Sequence, residues 1–169
     1  MLLIIHNIKN SRMGVIMKIF EVEISLPMQN ESSNTKSFET GDINQIQAAF
    51  YNINWRRIFL TQIQLQNTET SFAVVDTDTQ QYLHIQLNTQ STKADPVFQI
   101  ESNIQLVIEN KEFLGFITRK KKYDVVYKNL NQNQVSEQLG LFLNGQIESM
   151  TDQYKQLVHK KMLQEQRLV

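Results

Sequence analysis

The sequence predicts an α+β fold: an antiparallel β-sheet of meander type, with one helix after the first strand and a C-terminal helical pair packed on it. Three observations lead there. Short segments of alternating apolar and polar residues recur through the middle of the chain, separated by turn-length connections that suit antiparallel neighbours. A capped segment of helical spacing follows the first of them at Gly41-Asp42. Near the C-terminus the apolar period lengthens from about 2 to about 3.6 residues, the change from strand to helix. A chain of 169 residues suits one domain with a substantial core.

From Lys18 to Leu26 the apolar residues Ile19, Val22, Ile24 and Leu26 mark a half-buried strand, which Pro27 ends by removing a ladder donor. The polar stretch from Gln29 to Thr40 reads as an exposed loop, unless Ser37 and Phe38 extend a strand pair. Asp42 is placed to cap the helix that follows, with Gln45 at the capping-box position and Ile43, Ile46 and Phe50 as the buried stripe to about Tyr51. Ile58, Phe59, Leu60, Ile63 and Leu65 then form a β-compatible run ending at Asn67, and Ser71 to Thr77, Tyr82 to Leu87 and Val97 to Ile100 form three more. Asp78-Thr79-Gln80-Gln81 is short enough to close a hairpin. Ile104 to Ile108 fits a strand or a short helix, Phe113 to Thr118 favours a strand, and Tyr123 to Tyr127 reads as the last one. Asn129 to Asn133 is a break before a helix from about Gln134 to Leu143, which stops at Asn144-Gly145. A second helix from Ile147 carries Met150, Tyr154, Leu157 and Val158, and Lys160-Lys161 near its end complements the helix dipole.

The apolar opening Met1-Leu2-Leu3-Ile4-Ile5 is broken by His6, Asn7 and Lys9, too early for a signal core or a membrane span. Met13 and Met17 offer later starts, so residues 1–16 are expected to be an extension and 17–169 the single domain. Seventeen basic residues balance seventeen acidic ones, which leaves no global field for nucleic acid or an anionic membrane. The absence of cysteine removes disulfides, thiolate nucleophiles and Cys-ligated metals, and fits a reducing, cytoplasmic compartment.

Catalytic and cofactor chemistry find no matching constellation. His6, His84 and His159 fall in different predicted elements, and His84 is expected at the surface, opposite Leu83 and Ile85. None of the five glycines forms a phosphate-binding fingerprint, and no serine sits in a glycine-flanked elbow. Asp76, Asp78 and Asp95 lack the ligand ladder of a calcium loop, and Asp-Thr-Asp-Thr is ordinary turn chemistry. No enzyme, cofactor or metal is therefore expected. Trp55, beside Tyr51, reads as a core plug in preference to a binding anchor. Arg119-Lys120-Lys121-Lys122-Tyr123, taken with Arg56-Arg57, is open to two accounts: a nucleic-acid contact with stacking aromatics, or a solvated hairpin tip whose lysines protect a sheet edge.

A strand, a capped helix, an antiparallel meander and a helix ending in Phe142-Leu143-Asn144-Gly145 together resemble small immunity proteins of bacterial polymorphic-toxin and type VI secretion systems. The resemblance spans Met17 to Gly145 and is one of layout. It implies a non-enzymatic protein that neutralises a cognate toxin or effector by stoichiometric association, without turnover or cofactor. The exposed sheet face and its loops would then carry the interface, with Glu69, Asp76, Asp78 and Tyr82 as partner-binding contacts. The alternative is a nucleic-acid-associated module built on the basic segments around Arg56 and Lys120. The C-terminal helix stripe is expected to bury against its own domain or against a second copy, as a homodimer.

Overall fold

In the computed structural model the described residues are 18–27, 34–65, 70–88, 95–112 and 117–166. The expected extension 1–16, Glu69 and the first part of the Phe113 to Thr118 segment lie outside them. Alternation builds the sheet. In β3 (Ser71–Asp76) and β4 (Tyr82–Leu87) every second residue is buried, and the registers Val22↔Val74↔Leu83 and Ile24↔Phe72↔Ile85↔Ile100 line these residues up on one face. With β1 (Phe20–Leu26), β2 (Asn34–Thr40), β5 (Phe98–Glu112) and β6 (Ile117–Leu130), they form a six-stranded sheet in the order β2-β1-β3-β4-β5-β6, antiparallel throughout. The α+β class holds, and β3 to β6 form a meander.

Helix placement corrects one expectation: α1 (Ile43–Tyr51) follows β2, not the first strand. Ser37 and Phe38 do belong to a strand, and it can be polar because it is an edge strand. Only Phe38, in register with Val22, is held against the core, while Thr35, Lys36, Ser37 and Glu39 meet solvent. Asp42 caps α1 by accepting the Asn44 N–H (2.9 Å). Gln45 does not close a capping box; it accepts the Thr40 hydroxyl (2.6 Å), whose oxygen accepts the Asp42 N–H (3.0 Å).

A second correction concerns Ile58 to Leu65, expected as strand but folded as α2 (Trp55–Leu65). Trp55, Phe59 and Gln62 are its buried residues, a helical stripe. Trp55 is core, as expected. Its ring packs on Phe50 (5.1 Å) and Phe98 (5.2 Å), and its indole N–H donates to the Phe50 carbonyl (3.0 Å). Phe50 also meets Phe72 edge-on (5.4 Å), so α1 and α2 are fixed to the sheet through aromatic rings.

The segments expected separately at Val97 to Ile100 and Ile104 to Ile108 are one long strand, β5, and Tyr123 to Tyr127 is part of β6. Register shifts let both strands stay paired while they bend: β5 gains residues between Glu101 and Gln105, and β6 gains one near Asn129 (φ 58°). Asn tolerates that left-handed conformation better than most residues.

The C-terminal pair is as expected. Asn131 and Gln134 form a reciprocal capping box (2.9 and 3.0 Å) that starts α3 (Gln132–Leu143). Gly145 (φ 69°) ends it: the Gly145 N–H reaches the Phe142 carbonyl and the Gln146 N–H the Leu141 carbonyl. α4 (Ile147–Gln166) then buries Met150, and the Tyr127 hydroxyl donates to the Met150 carbonyl (2.7 Å). Burial pushes the Tyr127 phenol up, with Tyr154 and Glu137 adding to the shift, so it stays a donor.

Candidate interaction surface

Because the buried side chains of all four helices meet one face of the sheet, the other face has no described element packed on it. Its residues are the alternate positions of each strand. One cross-strand row runs Ser37, Glu23, Ala73, His84, Glu101, Val126; another begins Glu39, Glu21, Val75, Tyr82. Glu21, Glu23 and Glu39 are exposed, and Glu21 stands directly opposite Glu39. Like charges directly opposed on neighbouring strands weaken the pairing, so a cation brought to this corner would be favoured. Toward β6 the same face carries Lys122 and Lys128, both exposed. The face thus changes from carboxylates at β1 and β2 to a partly lysine edge at β6.

Of the four contacts expected from the sequence, Asp78 and Tyr82 (37 % exposed) are accessible at one end of this face, and Glu69 lies outside the described residues. Asp76 is corrected. It is only 1 % exposed, turned toward the helices, and ion-paired with Lys18 (2.8 Å). Its Oδ1 accepts the N–H groups of Asp78 (3.0 Å) and Thr79 (3.3 Å), closing the β3–β4 turn in which Gln80 adopts φ 59°. Burial by itself would raise the Asp76 pKa, but the Lys18 ammonium and the Thr79 and Asp78 donors outweigh it and hold the carboxyl below its usual range. Such a group is turn architecture.

The bulge in β5 supports the same end of the face. It turns Asn103 so that its amide donates to the Gln80 carbonyl (2.8 Å) and its oxygen accepts the Tyr82 N–H (3.0 Å), satisfying backbone where β4 begins. Ser102, buried beside it, donates to the Val125 carbonyl (2.9 Å). His84 is half-buried between Ala73 and Glu101, and among the described residues no group of His, Asp or Glu is arranged to hold a metal ion.

The basic segments do not form one surface. Arg56 and Arg57 are exposed at the start of α2, whose Trp55 packs on Phe98 at the near end of β5. Lys120 is in register with Glu109, which at strand spacing is about 35 Å further along β5. Fold and face leave identity to comparison with known proteins. No protein-family model, curated protein or solved structure matches this chain. Glu21, Glu23, Glu39 and Glu101 were not among the contacts expected from sequence. The signal for the first two was nonetheless present, since Glu21 and Glu23 alternate with Phe20, Val22 and Ile24 and must point away from the core. No described helix is long and apolar enough to cross a membrane.

Proposed function

We propose that this chain is a stoichiometric protein binder without turnover, and that its layout reflects a role in neutralising a cognate bacterial toxin in the cytoplasm. The observation that supports binding is the uncovered sheet face, whose acidic corner at Glu21, Glu23 and Glu39 suits a basic surface on the partner. On this reading the helices keep the sheet rigid, and the face excludes solvent from the partner's active region when the two dock. Asp78 and Tyr82 rim the interface; Asp76 acts through the turn that presents them.

The test is affinity capture from the native host's lysate at moderate salt, with the wild-type chain and with a Glu21→Lys/Glu23→Lys variant whose fold is confirmed by circular dichroism. Recovery of one toxin-like protein in stoichiometric amount by the wild type, and its loss with the variant, is the expected result. Nucleic acid alone, no partner, or a partner held equally by the variant would reject the proposal.

A further inference from the structure

Beyond Ser102 the sheet narrows to a ribbon. Among the described residues, β5 from Gln105 to Glu112 is paired with β6 alone, over Ile117 to Asp124. At strand spacing this stretch reaches about 26 Å. The chain as a whole is neutral, but residues 105–124 hold five basic against three acidic residues, and Arg119-Lys120-Lys121-Lys122 are consecutive. Neighbouring strand residues point to opposite faces, so such a run cannot lie on one side. Lys122 is in register with Val107, which is 45 % exposed, on the face that no described helix covers; Lys121 is in register with Ile108, on the helical face. The helical layer thins there. Leu106 is buried, whereas Tyr123 in register with it is 43 % exposed, and Lys121 and Lys122 are both exposed. Lys120 is exposed but in register with Glu109, so Lys121 and Lys122 are the principal cations.

A flat anionic surface, such as a bilayer or an acidic protein face, meets cations on one side only. Cations on both faces of a thin arm suit a slot with negative charge on both walls. The major groove of B-form DNA is such a slot, about 12 Å wide between two phosphate backbones, and it admits a two-stranded β-ribbon. A single sheet layer with its side chains is about 10 Å thick. We propose that the β5–β6 ribbon is an arm that enters the major groove of duplex DNA, with Lys121 and Lys122 reaching phosphates on opposite walls. Tyr123 and Val107, both exposed, lie behind them as apolar contacts for base edges. The major groove of A-form RNA is too deep and narrow for side chains to read, so the arm favours DNA. With so few cations, binding is weak and governed by salt. Glu21, Glu23 and Glu39, at the far edge of the sheet, repel the DNA backbone and confine the contact to the ribbon. The arm is separate from that acidic corner, so it does not depend on the proposed partner role, and a protein partner and DNA can be held together.

Fluorescence anisotropy with a labelled mixed-sequence DNA duplex of about 20 base pairs, two helical turns, tests it. Duplex RNA and single-stranded DNA of the same sequence serve as comparisons, and phosphatidylserine vesicles are tested by sedimentation. The DNA duplex is expected to bind more tightly than either comparison. Its Kd should rise about 10- to 40-fold between about 50 and about 200 mM salt, as for two to three phosphate contacts. Lys121→Gln and Lys122→Gln, exposed changes that spare the fold, should each weaken binding several-fold, because each loses one wall of the groove. Arg56→Gln/Arg57→Gln, far from the ribbon, should leave the affinity unchanged. No binding to the duplex at the lower salt, equal affinity for duplex RNA, tighter binding of the single strand, or vesicle binding without DNA binding would overturn the assignment. So would an effect confined to one of the two lysines, which would mean a one-sided contact.

Discussion

A single carboxylate decides how the β3–β4 turn is held. Asp76 joins Lys18, at the entry to β1, to the N–H groups of its own turn, and the Lys18 ammonium also lies over the Phe20 (4.8 Å) and Phe142 (5.8 Å) rings. Replacing it with Asn keeps an oxygen for the turn but removes the charge, so Asp76→Asn should cost about 2 kcal/mol at neutral pH. The pH dependence has a definite sign. A carboxyl whose pKa is lower in the folded than in the unfolded state stabilises fully above its unfolded value of about 4, and that contribution is lost as pH falls through the folded value. Urea denaturation at a series of pH values should therefore show the gap between wild type and Asp76→Asn closing below about pH 4; a constant gap would mean the charge is not what Lys18 and the turn are using. At this scale the sequence was half legible. Asp-Thr-Asp-Thr announced a turn, but Asp76 is the sixth residue of a strand in which inward and outward positions alternate, and which way it pointed depended on register. Lys18 is 58 residues from it in sequence, and only the β1–β3 pairing, with Phe20 opposite Asp76, brings the two together.

At the scale of elements, α2 shows where periodicity misleads. Ile58, Phe59, Leu60, Ile63 and Leu65 are dense in residues that favour strands, yet tertiary packing overrides that preference when one helical stripe has a place to bury. Trp55 supplies it, because its indole fits between Phe50 and Phe98 and sets the direction of the helix. The informative pattern was the spacing of Trp55, Phe59 and Gln62, not the β-branched count. Neighbouring alanine substitutions separate the two assignments. In the helix Phe59 is 2 % exposed and Leu60 is 53 % exposed, so Phe59→Ala should cost about 3–5 kcal/mol and Leu60→Ala less than about 0.5 kcal/mol. Thermal or urea unfolding of the two variants gives the answer, and a Leu60 penalty near that of Phe59 would contradict the helix. The end of α3 was legible for the opposite reason: Asn144-Gly145 is a local stop whose partners lie within a few residues, whereas the equally local Asn131–Gln134 box that starts the helix falls in a stretch that reads as a break.

Across the whole molecule, the sheet is covered on one side and extended at one end. β4 pairs with β5 only as far as Ser102, so among the described residues β5 is paired from Gln105 to Glu112 with β6 alone, as a two-stranded ribbon. The sequence hid this ribbon because it reads as two broken pieces: Asn103 and Gln105 interrupt the apolar pattern where the bulge re-aims it, and Arg119 to Lys122 look like a loop when they are a strand. Two strands without a third neighbour are marginal in water, whereas β1, β3 and β4 each have partners on both sides and a helical layer above them. Native-state hydrogen exchange should accordingly separate the molecule into two classes. Ladder amides of residues 109–112 and 117–121 should exchange through local opening, at free energies well below the global value, while those of residues 72–75 and 83–86 should exchange only with global unfolding. Adding denaturant should speed the second class strongly and the first weakly, since local opening exposes little surface. If the ribbon proved as protected as the central strands, a further element must cover it, and the lysines at 120–122 would belong to an interface within the molecule instead of a solvated edge.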